Sequence, residues 1–337
     1  MEIIQHQLKQ GLQFPKKFIS LYENIHYAIF DIETTGLNPN LNHVILIGIL
    51  YIKNNQVIIE QFFCNHRSEE KDLLTSFKQK IEAFDLLVNY NGNTFDIPFL
   101  NQRFSKHGIN YSIGSYKSFD LLKLVRRVKK ELNLENYKLK SIEEYLGIQR
   151  TDMISGKDSV ALYNQFEKTK NTQQKEIILL HNFDDLYYLG KSLNILDNIS
   201  YENIINASPQ IFHVKKDENI YIANAIIKHG TLEVEGIYKT DSTNSCIIHE
   251  RGFSFHYDQS TFKFSIRIPL YKGNLSSGKV CLYINAGDFP FSYVKKEIPS
   301  SIPQNILLLK EGRAVKTTEM YSFIKKLISC IINTLTS

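Results

Sequence analysis

Two carboxylates spaced two residues apart, Asp31 and Glu33, follow the apolar run of residues 27–30. In an extended strand, residues i and i+2 point to the same face, so these two side chains project together. Paired carboxylates repel each other unless a cation neutralises them, and their hard oxygen atoms suit Mg²⁺ or Mn²⁺. The D-x-E spacing also occurs on exposed strand edges, where both acids are solvated, but the apolar strand before it favours a metal site.

Three other side chains have types and spacings that fit such a site. Asp96 stands in a polar turn after a second apolar strand, two residues before Pro98, and it either caps a helix or joins the carboxylates. His181 and Asp185 are four residues apart in a helix-like segment, so they share one face, either as a surface pair or as part of the site. Three acidic motifs in this order, on a strand end, a helix start and a helix, favour one common site.

The ordered motifs resemble the DEDD superfamily of 3′-5′ exonucleases, which have a ribonuclease-H-like fold. The family's first motif is D-x-E on a strand, matched by Asp31 and Glu33 in FDIETTGL, and its second acid lies in N-x-x-x-F-D, matched by Asp96 in NGNTFDIPFL. Its last Asp lies on a helix and is matched by Asp185. The base precedes that Asp by four residues in the Tyr-type branch and by five in the His-type branch. His181 stands four residues before Asp185, so this chain has a histidine at the spacing of the Tyr-type branch.

Within the superfamily, the chain looks most like the YprB-like ribonuclease-H-like proteins. The resemblance covers residues 25–195 and includes residues 139–150, the Ser155-Gly156 pair and residues 162–163. It implies a mixed sheet flanked by helices, and hydrolysis of phosphodiester bonds at the 3′ end of single-stranded DNA or RNA.

The resemblance also implies roles for individual residues. Two divalent cations, Mg²⁺ or Mn²⁺, would be held with Asp31 bridging them, Glu33 and Asp185 on the first and Asp96 on the second. His181 would orient or deprotonate the attacking water. The residues expected to meet the terminal nucleotide are Thr34, Thr35, Gly36 and Leu37, and those expected either to contact the substrate or to brace their loop are Asn91 and Asn93.

Two other functions remain open on the sequence. One is a catalytically inactive nucleic-acid-binding protein with a nuclease-like fold, which the unusual spacing of His181 allows. The other is a related metal-dependent endonuclease. No particular protein partner is indicated.

The elements that must position these residues form two domains. Residues 1–206 alternate strand-like and helix-like segments, which predicts an α/β domain with a mixed sheet flanked by helices. An Asn54-Asn55 pair between two of the strands predicts a hairpin turn. Residues 207–337 contain short strand-like segments and one amphipathic helix, which predicts a smaller, mostly β domain closed by a C-terminal helix. Basic residues alternate there with aromatic ones near Phe264, either as a stacking surface for single strands or with the aromatics in the core.

Composition limits the class of protein. Hydrophobic residues make up 43% of the 337, which excludes a wholly disordered chain, and 16 Gly and 8 Pro exclude a collagen-like one. The four cysteines are far apart, so neither a zinc site nor a dithiol motif is indicated. We expect a cytoplasmic protein, since no signal-peptide layout or membrane span is evident.

Positive charge is concentrated in one segment. Residues 117–140 hold eight Lys and Arg side chains against three acidic ones, an excess as large as the net +5 of the whole chain. The segment is either the solvated face of a helix or a track for a phosphate backbone. Asp120, within it, is expected to cap the helix.

Overall fold

The computed structural model describes residues 1–8, 11–150, 154, 156–215, 218–241, 243–292 and 302–335. The chain divides into two compact units, Met1–Ser208 and Pro209–Ser337. Within the described ranges, no helix is long and apolar enough to cross a membrane. Ser155, part of the YprB-like resemblance, lies outside the described residues.

A six-stranded mixed sheet forms the centre of the first unit. Its strands are β1 (Glu2–Gln7), β2 (Tyr27–Thr34), β3 (Val44–Lys53), β4 (Gln56–Phe63), β5 (Leu86–Asn89) and β6 (Ser118–Asp120). They lie in the order β1-β4-β3-β2-β5-β6. The pairs β1–β4, β4–β3 and β3–β2 are antiparallel, whereas β5 runs parallel to both β2 and β6. Asn54 and Asn55, both with positive φ, form the turn between β3 and β4, as their sequence predicts.

Helices cover both faces of this sheet. They are α1 (Lys16–Leu21), α2 (Glu70–Ile81), α3 (Asp96–Lys106), α4 (Leu121–Leu132), α5 (Leu139–Tyr145), α6 (Gly156–Thr169), α7 (Thr172–Ser192) and α8 (Tyr201–Ala207). One core joins Phe30 and Phe62 of the sheet to Phe77 of α2 and Phe104 of α3. A second core joins β3 and β4 to α6 and α7 on the other face. Because β3 is covered on both sides, it reads as a continuous apolar run. The predicted α/β class, a mixed sheet flanked by helices, is confirmed.

Five elements of the first unit were not predicted from the sequence: β1, β6, α1, α6 and α8. β1 is almost entirely exposed and therefore shows no apolar alternation, and β6 is only three residues long. α7 begins at Thr172, five residues before the apolar periodicity does, because its first turn is polar and is capped by Asn171.

The second unit is smaller and mostly β. Its strands are β7 (Gln210–Lys215), β8 (Glu218–Lys228), β9 (Thr231–Tyr238), β10 (Cys246–His249), β11 (Ser254–Asp258), β12 (Lys263–Pro269), β13 (Tyr271–Asn274), β14 (Val280–Asn285), β15 (Ile306–Glu311) and β16 (Ala314–Val315). The first six form one antiparallel sheet and the last four another. The C-terminal helix α9 (Thr317–Leu335) shares a single core with both sheets. On β12, Phe264 and Ile266 are buried while Lys263 and Arg267 are exposed, so the aromatic residues of this strand belong to the core.

Candidate metal centre

The end of β2 presents the first two candidate carboxylates. Asp31 pairs with Gly48 of β3 and Glu33 pairs with Leu46, and the register then shifts between Glu33 and Thr34. Such irregularities are frequent beside functional sites because they change the direction of a side chain. Glu33 is 7% exposed. A carboxylate buried to this degree requires partners or a cation.

Helix α7 brings the third carboxylate and the histidine to the end of β2. His181 Nε2 lies 3.7 Å from Glu33 Oε1 and 3.6 Å from Asp185 Oδ2. Among the described residues, Glu33, His181 and Asp185 are the group whose potential ligand atoms all lie within 4.8 Å of one another. The pair four residues apart on α7 therefore faces the β2 carboxylates and is not a solvated surface pair.

Asp96 lies at the start of α3 and is 6% exposed. Its carboxylate does not cap the helix by the usual route, since Phe95 occupies the N-cap position without a side-chain hydrogen bond. Burial raises the pKa of Asp96 to about 7, against hydrogen bonds from its own backbone amide and from that of Ile32, which lies between the two β2 carboxylates. This contact to Ile32 places Asp96 beside Asp31 and Glu33.

The four carboxylates repel one another. Burial first, and then the charges of Asp185, Asp96 and Glu33, raise the pKa of Asp31 well above its usual value. Burial and the charges of Asp185 and Asp96 raise the pKa of Glu33 to about 8, against an opposing contribution from the nearby Ser159 hydroxyl. The raised pKa values of Asp31, Glu33 and Asp96 mark an incomplete electrostatic arrangement, which divalent cations would complete.

A buried hydrogen-bond chain, which the sequence reasoning missed, positions Asp31. Asn182 Nδ2 donates to Asp31 Oδ2 at 3.0 Å, and Gln61 Nε2 donates to Asn182 Oδ1 at 2.9 Å. Gln61 and Asn182 are both fully buried. Gly48 lies between Asp31 and Gln61 in the sheet register and makes room for Asn182. The available signal was a polar residue, Gln61, inside the apolar run of β4.

Arg150 is another residue that the sequence reasoning missed, although it ends the segment that resembles the YprB-like proteins. Its guanidinium lies 2.5 Å from Asp185 Oδ1 and 3.5 Å from Glu143 Oε1, and the side chain is 7% exposed. The ring of Tyr188 packs 5.3 Å from the guanidinium carbon. Arg150 thus supplies one positive charge to the outer side of the carboxylate cluster and fixes the orientation of Asp185.

The loop after β2 carries the residues predicted to meet a nucleotide. Thr34 Oγ1 donates to Gly36 O, and Thr35 closes the loop through hydrogen bonds in both directions with the backbone of His43. Arg103 of α3 donates to Pro39 O in the same loop. At its tip, Leu37 is 82% exposed. Hydrogen bonds within the loop and from α3 therefore hold its backbone, while the side chain of Leu37 is exposed to solvent.

The loop between β5 and α3 is braced by Asp120. The carboxylate of Asp120 accepts hydrogen bonds from the amides of Asn91 and Asn93, and it caps α4 through the amide of Leu122, as predicted. The side chain of Asn91 accepts a hydrogen bond from Thr94 Oγ1 at 2.5 Å. Asn91 is thus placed as a loop-bracing residue. Asn93 Oδ1 is buried without a hydrogen-bond partner within the described part of the chain.

Comparison with known proteins agrees with this fold. Residues 28–194 match the RNase_H superfamily, and the chain therefore contains a ribonuclease-H-like domain. The DNA polymerase III PolC-type of Ureaplasma parvum is 29% identical over 257 residues, which cover 60% of this chain and 17% of that protein. The 3′-5′ exonuclease DinG of Staphylococcus saprophyticus is 27% identical over 330 residues, which cover 86% of this chain and 35% of that protein.

The chain matches only part of each of these relatives. The chain spans only 17% and 35% of the two relatives' lengths. The match to DinG covers more of this chain than the first unit contains, so the similarity extends into the second. Among solved structures, the family B DNA polymerase of Pyrobaculum calidifontis matches with a TM-score of 0.41 and 15% identity, over 68% of this chain and 33% of that one. Residues 28–194 thus form a ribonuclease-H-like domain, similar to proteins that include one named as a 3′-5′ exonuclease.

Proposed function

We propose that the protein is a metal-dependent 3′-5′ exonuclease of the DEDD type, acting on the 3′ end of a single-stranded nucleic acid. The observation that carries this proposal is the meeting of Glu33, His181 and Asp185 within 4.8 Å, next to two further carboxylates. The exonuclease name of the DinG relative supports the reaction class, and the superfamily match supports a phosphodiester substrate.

The donor set fits two divalent cations. Asp31, Glu33, Asp96 and Asp185 offer hard oxygen ligands from three separate elements. The raised pKa values of the first three mean that the protein alone does not compensate their charge. Mg²⁺ or Mn²⁺ held there would lower the pKa of an attacking water and stabilise negative charge on the phosphate oxygens. Asp31, Glu33, Asp96 and Asp185 would hold these cations.

The other residues of the site bind, orient and transfer protons. His181 would accept a proton at Nε2, the ring nitrogen that faces Glu33 and Asp185. Its other ring nitrogen, Nδ1, is buried and has no hydrogen-bond partner among the described residues. Thr34, Thr35, Gly36 and Leu37 would receive the terminal nucleotide, with backbone amides on the phosphate and Leu37 against the base.

The test uses the full chain and 5′-labelled single-stranded DNA and RNA, with Mg²⁺, with Mn²⁺ and with EDTA. We expect a ladder of products shortened one nucleotide at a time, only with metal, and no ladder from Asp31→Asn. Asp72→Asn, an exposed carboxylate on α2, is the matched control and should behave as wild type. Equal shortening by Asp31→Asn, or none by wild type, would contradict the proposal.

One observation favours a second candidate, a nucleic-acid-binding module without turnover. Arg150 is ion-paired with Asp185, so an arginine already neutralises a carboxylate that an active site would use to bind a metal ion. Tight binding of the oligonucleotide without any metal-dependent product would identify this case. A circular single strand separates the third possibility, because an endonuclease cuts it and an exonuclease has no end from which to start.

A further inference from the structure

The solvent-exposed face of α4 is entirely basic over two turns. Its four exposed cations are Lys123, Arg126, Arg127 and Lys130, and we call them the α4 stripe. They occupy positions i, i+3, i+4 and i+7, so they share one face of the helix. The opposite face, which includes Leu121, Leu124, Val125 and Val128, is buried in the first unit.

The α4 stripe carries uncompensated charge. None of its four side chains forms an ion pair with a described residue, and Arg127 Nε donates only to the neutral Asn203 Oδ1, at 3.4 Å. An acid four residues away on a helix can pair with a cation, and among the four only Arg127 has one at that spacing, Glu131. Four like charges spaced over about 10 Å repel one another, and a polyanion would relieve that repulsion.

The stripe begins at the sheet edge that holds the candidate metal centre. β6 runs parallel to β5, with Asp120 opposite Asn89, and β5 runs parallel to β2, with Val88 opposite Ile29. The carboxyl ends of β5 and β6 therefore lie level with Phe30 of β2, one residue before Asp31. α4 starts at Leu121, directly after β6, so the stripe leads away from the carboxylates along one helix.

An aromatic side chain stands beside the stripe. The ring of Tyr137 is 39% exposed, and it lies 4.5 Å from Lys129 Nζ and 6.0 Å from the guanidinium carbon of Arg126. Tyr90, in the loop that leads to Asp96, donates from its hydroxyl to Tyr137 O at 2.5 Å. The backbone next to this ring is thus tied to the site loop, and the ring itself is left open to solvent.

We infer that the α4 stripe and Tyr137 form a track for single-stranded nucleic acid, which holds the strand upstream of the 3′ end while that end occupies the carboxylate site. The cations would contact successive phosphates and Tyr137 would stack on a base, the combination found in sequence-independent single-strand binding. The inference deepens the proposed exonuclease function by naming where the rest of the substrate lies. Only the direction of the bound strand, with its 3′ end at the carboxylates, rests on the proposed exonuclease function.

The test measures binding without catalysis, by fluorescence anisotropy of a labelled 20-nucleotide single strand in EDTA at several salt concentrations. The variant replaces all four stripe cations with Gln. Each phosphate contact contributes about 0.7 to the slope of log K against log salt, so four contacts predict a slope smaller by about 3. At 0.1 M salt we expect binding at least about tenfold weaker.

Matched controls remove the same charge elsewhere on the first unit. Lys16, Lys53, Lys71 and Lys168 are exposed and scattered, and their replacement with Gln should leave the slope within about 1 of wild type. For the aromatic, Tyr137→Leu should weaken binding roughly 5- to 150-fold, the range for one lost base stack, while Tyr137→Phe should retain it.

A small substrate separates failure of the track from failure of the catalytic site. The p-nitrophenyl ester of thymidine 5′-monophosphate has no upstream phosphates, so the stripe variant should hydrolyse it at the wild-type rate while degrading the 20-nucleotide strand more slowly. An unchanged affinity and salt slope in the stripe variant would overturn the inference. Loss of binding to phosphatidylserine vesicles with oligonucleotide affinity intact would overturn it too, and would assign the stripe to a membrane surface.

Discussion

Replacing Gly48 with alanine tests whether close contact between β3 and α7 builds the candidate site. A Cβ at position 48 would lie 2.1 Å from Asn182 Oδ1 and 2.6 Å from Leu186 Cδ1, more than about 1 Å inside ordinary van der Waals contact. Asn182 cannot turn aside freely, because Gln61 and Asp31 both bond it. The helix itself must move, and it carries His181 and Asp185 with it.

The size of the effect follows from two opposing contributions. Where space is available, Gly→Ala stabilises a protein by about 0.4–1 kcal/mol, because it restricts the unfolded chain. Overpacking a buried contact costs about 1–3 kcal/mol, so at Gly48 the net change should be destabilising. For a unit of this size, a loss of about 1–2 kcal/mol lowers the unfolding temperature by about 2–8 °C. A displacement near 1 Å of catalytic groups lowers the rate by about 100-fold.

Thermal unfolding and the exonuclease rate are measured on Gly48→Ala and on Gly11→Ala. A Cβ at the control position, Gly11, would have no atom within 4 Å, so alanine there should keep both quantities at wild-type values or slightly raise stability. A Gly48→Ala protein that is as stable and as active as wild type would refute the argument that this contact sets the distance between β2 and α7.

Three further outcomes are expected. Asp31→Asn should reduce the nuclease rate by about 1000-fold or more, yet leave the unfolding temperature unchanged or higher, because it removes one of several repelling charges. Glu33 and Asp96 have pKa values raised to about 8 and about 7, so the stability they provide when protonated is lost as the pH rises through those values; calorimetry should therefore show the metal-free protein less stable at pH 8.5 than at pH 6, and Mg²⁺ more stabilising at pH 8.5. Equal stabilisation by Mg²⁺ at both pH values would count against a carboxylate metal site. Arg103→Met should lower the free energy of unfolding in urea by about 3 kcal/mol, because it leaves the fully buried Glu70 without its main partner, and Glu70→Gln in the same chain should restore part of the loss.

Local patterns were sufficient wherever a feature depends on neighbours in the chain. The turn at Asn54 and Asn55 and the cap that Asp120 makes on α4 both follow from residues within two positions, and both were predicted. The start of α7 at Thr172 could not be read from apolar periodicity, which begins five residues later, because the first turn of the helix is polar. β1 was missed for a related reason, since an exposed edge strand need not alternate.

Partners distant in the sequence were not readable from it. Arg150 reaches Asp185 across 35 residues, and Asn182 reaches Asp31 across 151. Nothing in the local composition around Arg150 or Asn182 indicates a buried polar contact, because the partner appears only when α7 packs on the sheet. The exposure of Tyr137 beside the α4 stripe likewise depends on how the chain returns after α4.

The sequence by itself determined the order and types of the acidic residues, the apolar strands that precede them and the mixed α/β class. These are properties of short stretches, in which side-chain periodicity and turn chemistry act locally. Only the tertiary structure decided which groups share a site: that His181 faces Glu33, that Gly48 admits Asn182, and that the α4 stripe starts at the same sheet edge. The physical reason is that buried polar and charged groups must find partners through space, and packing, not spacing along the chain, supplies them.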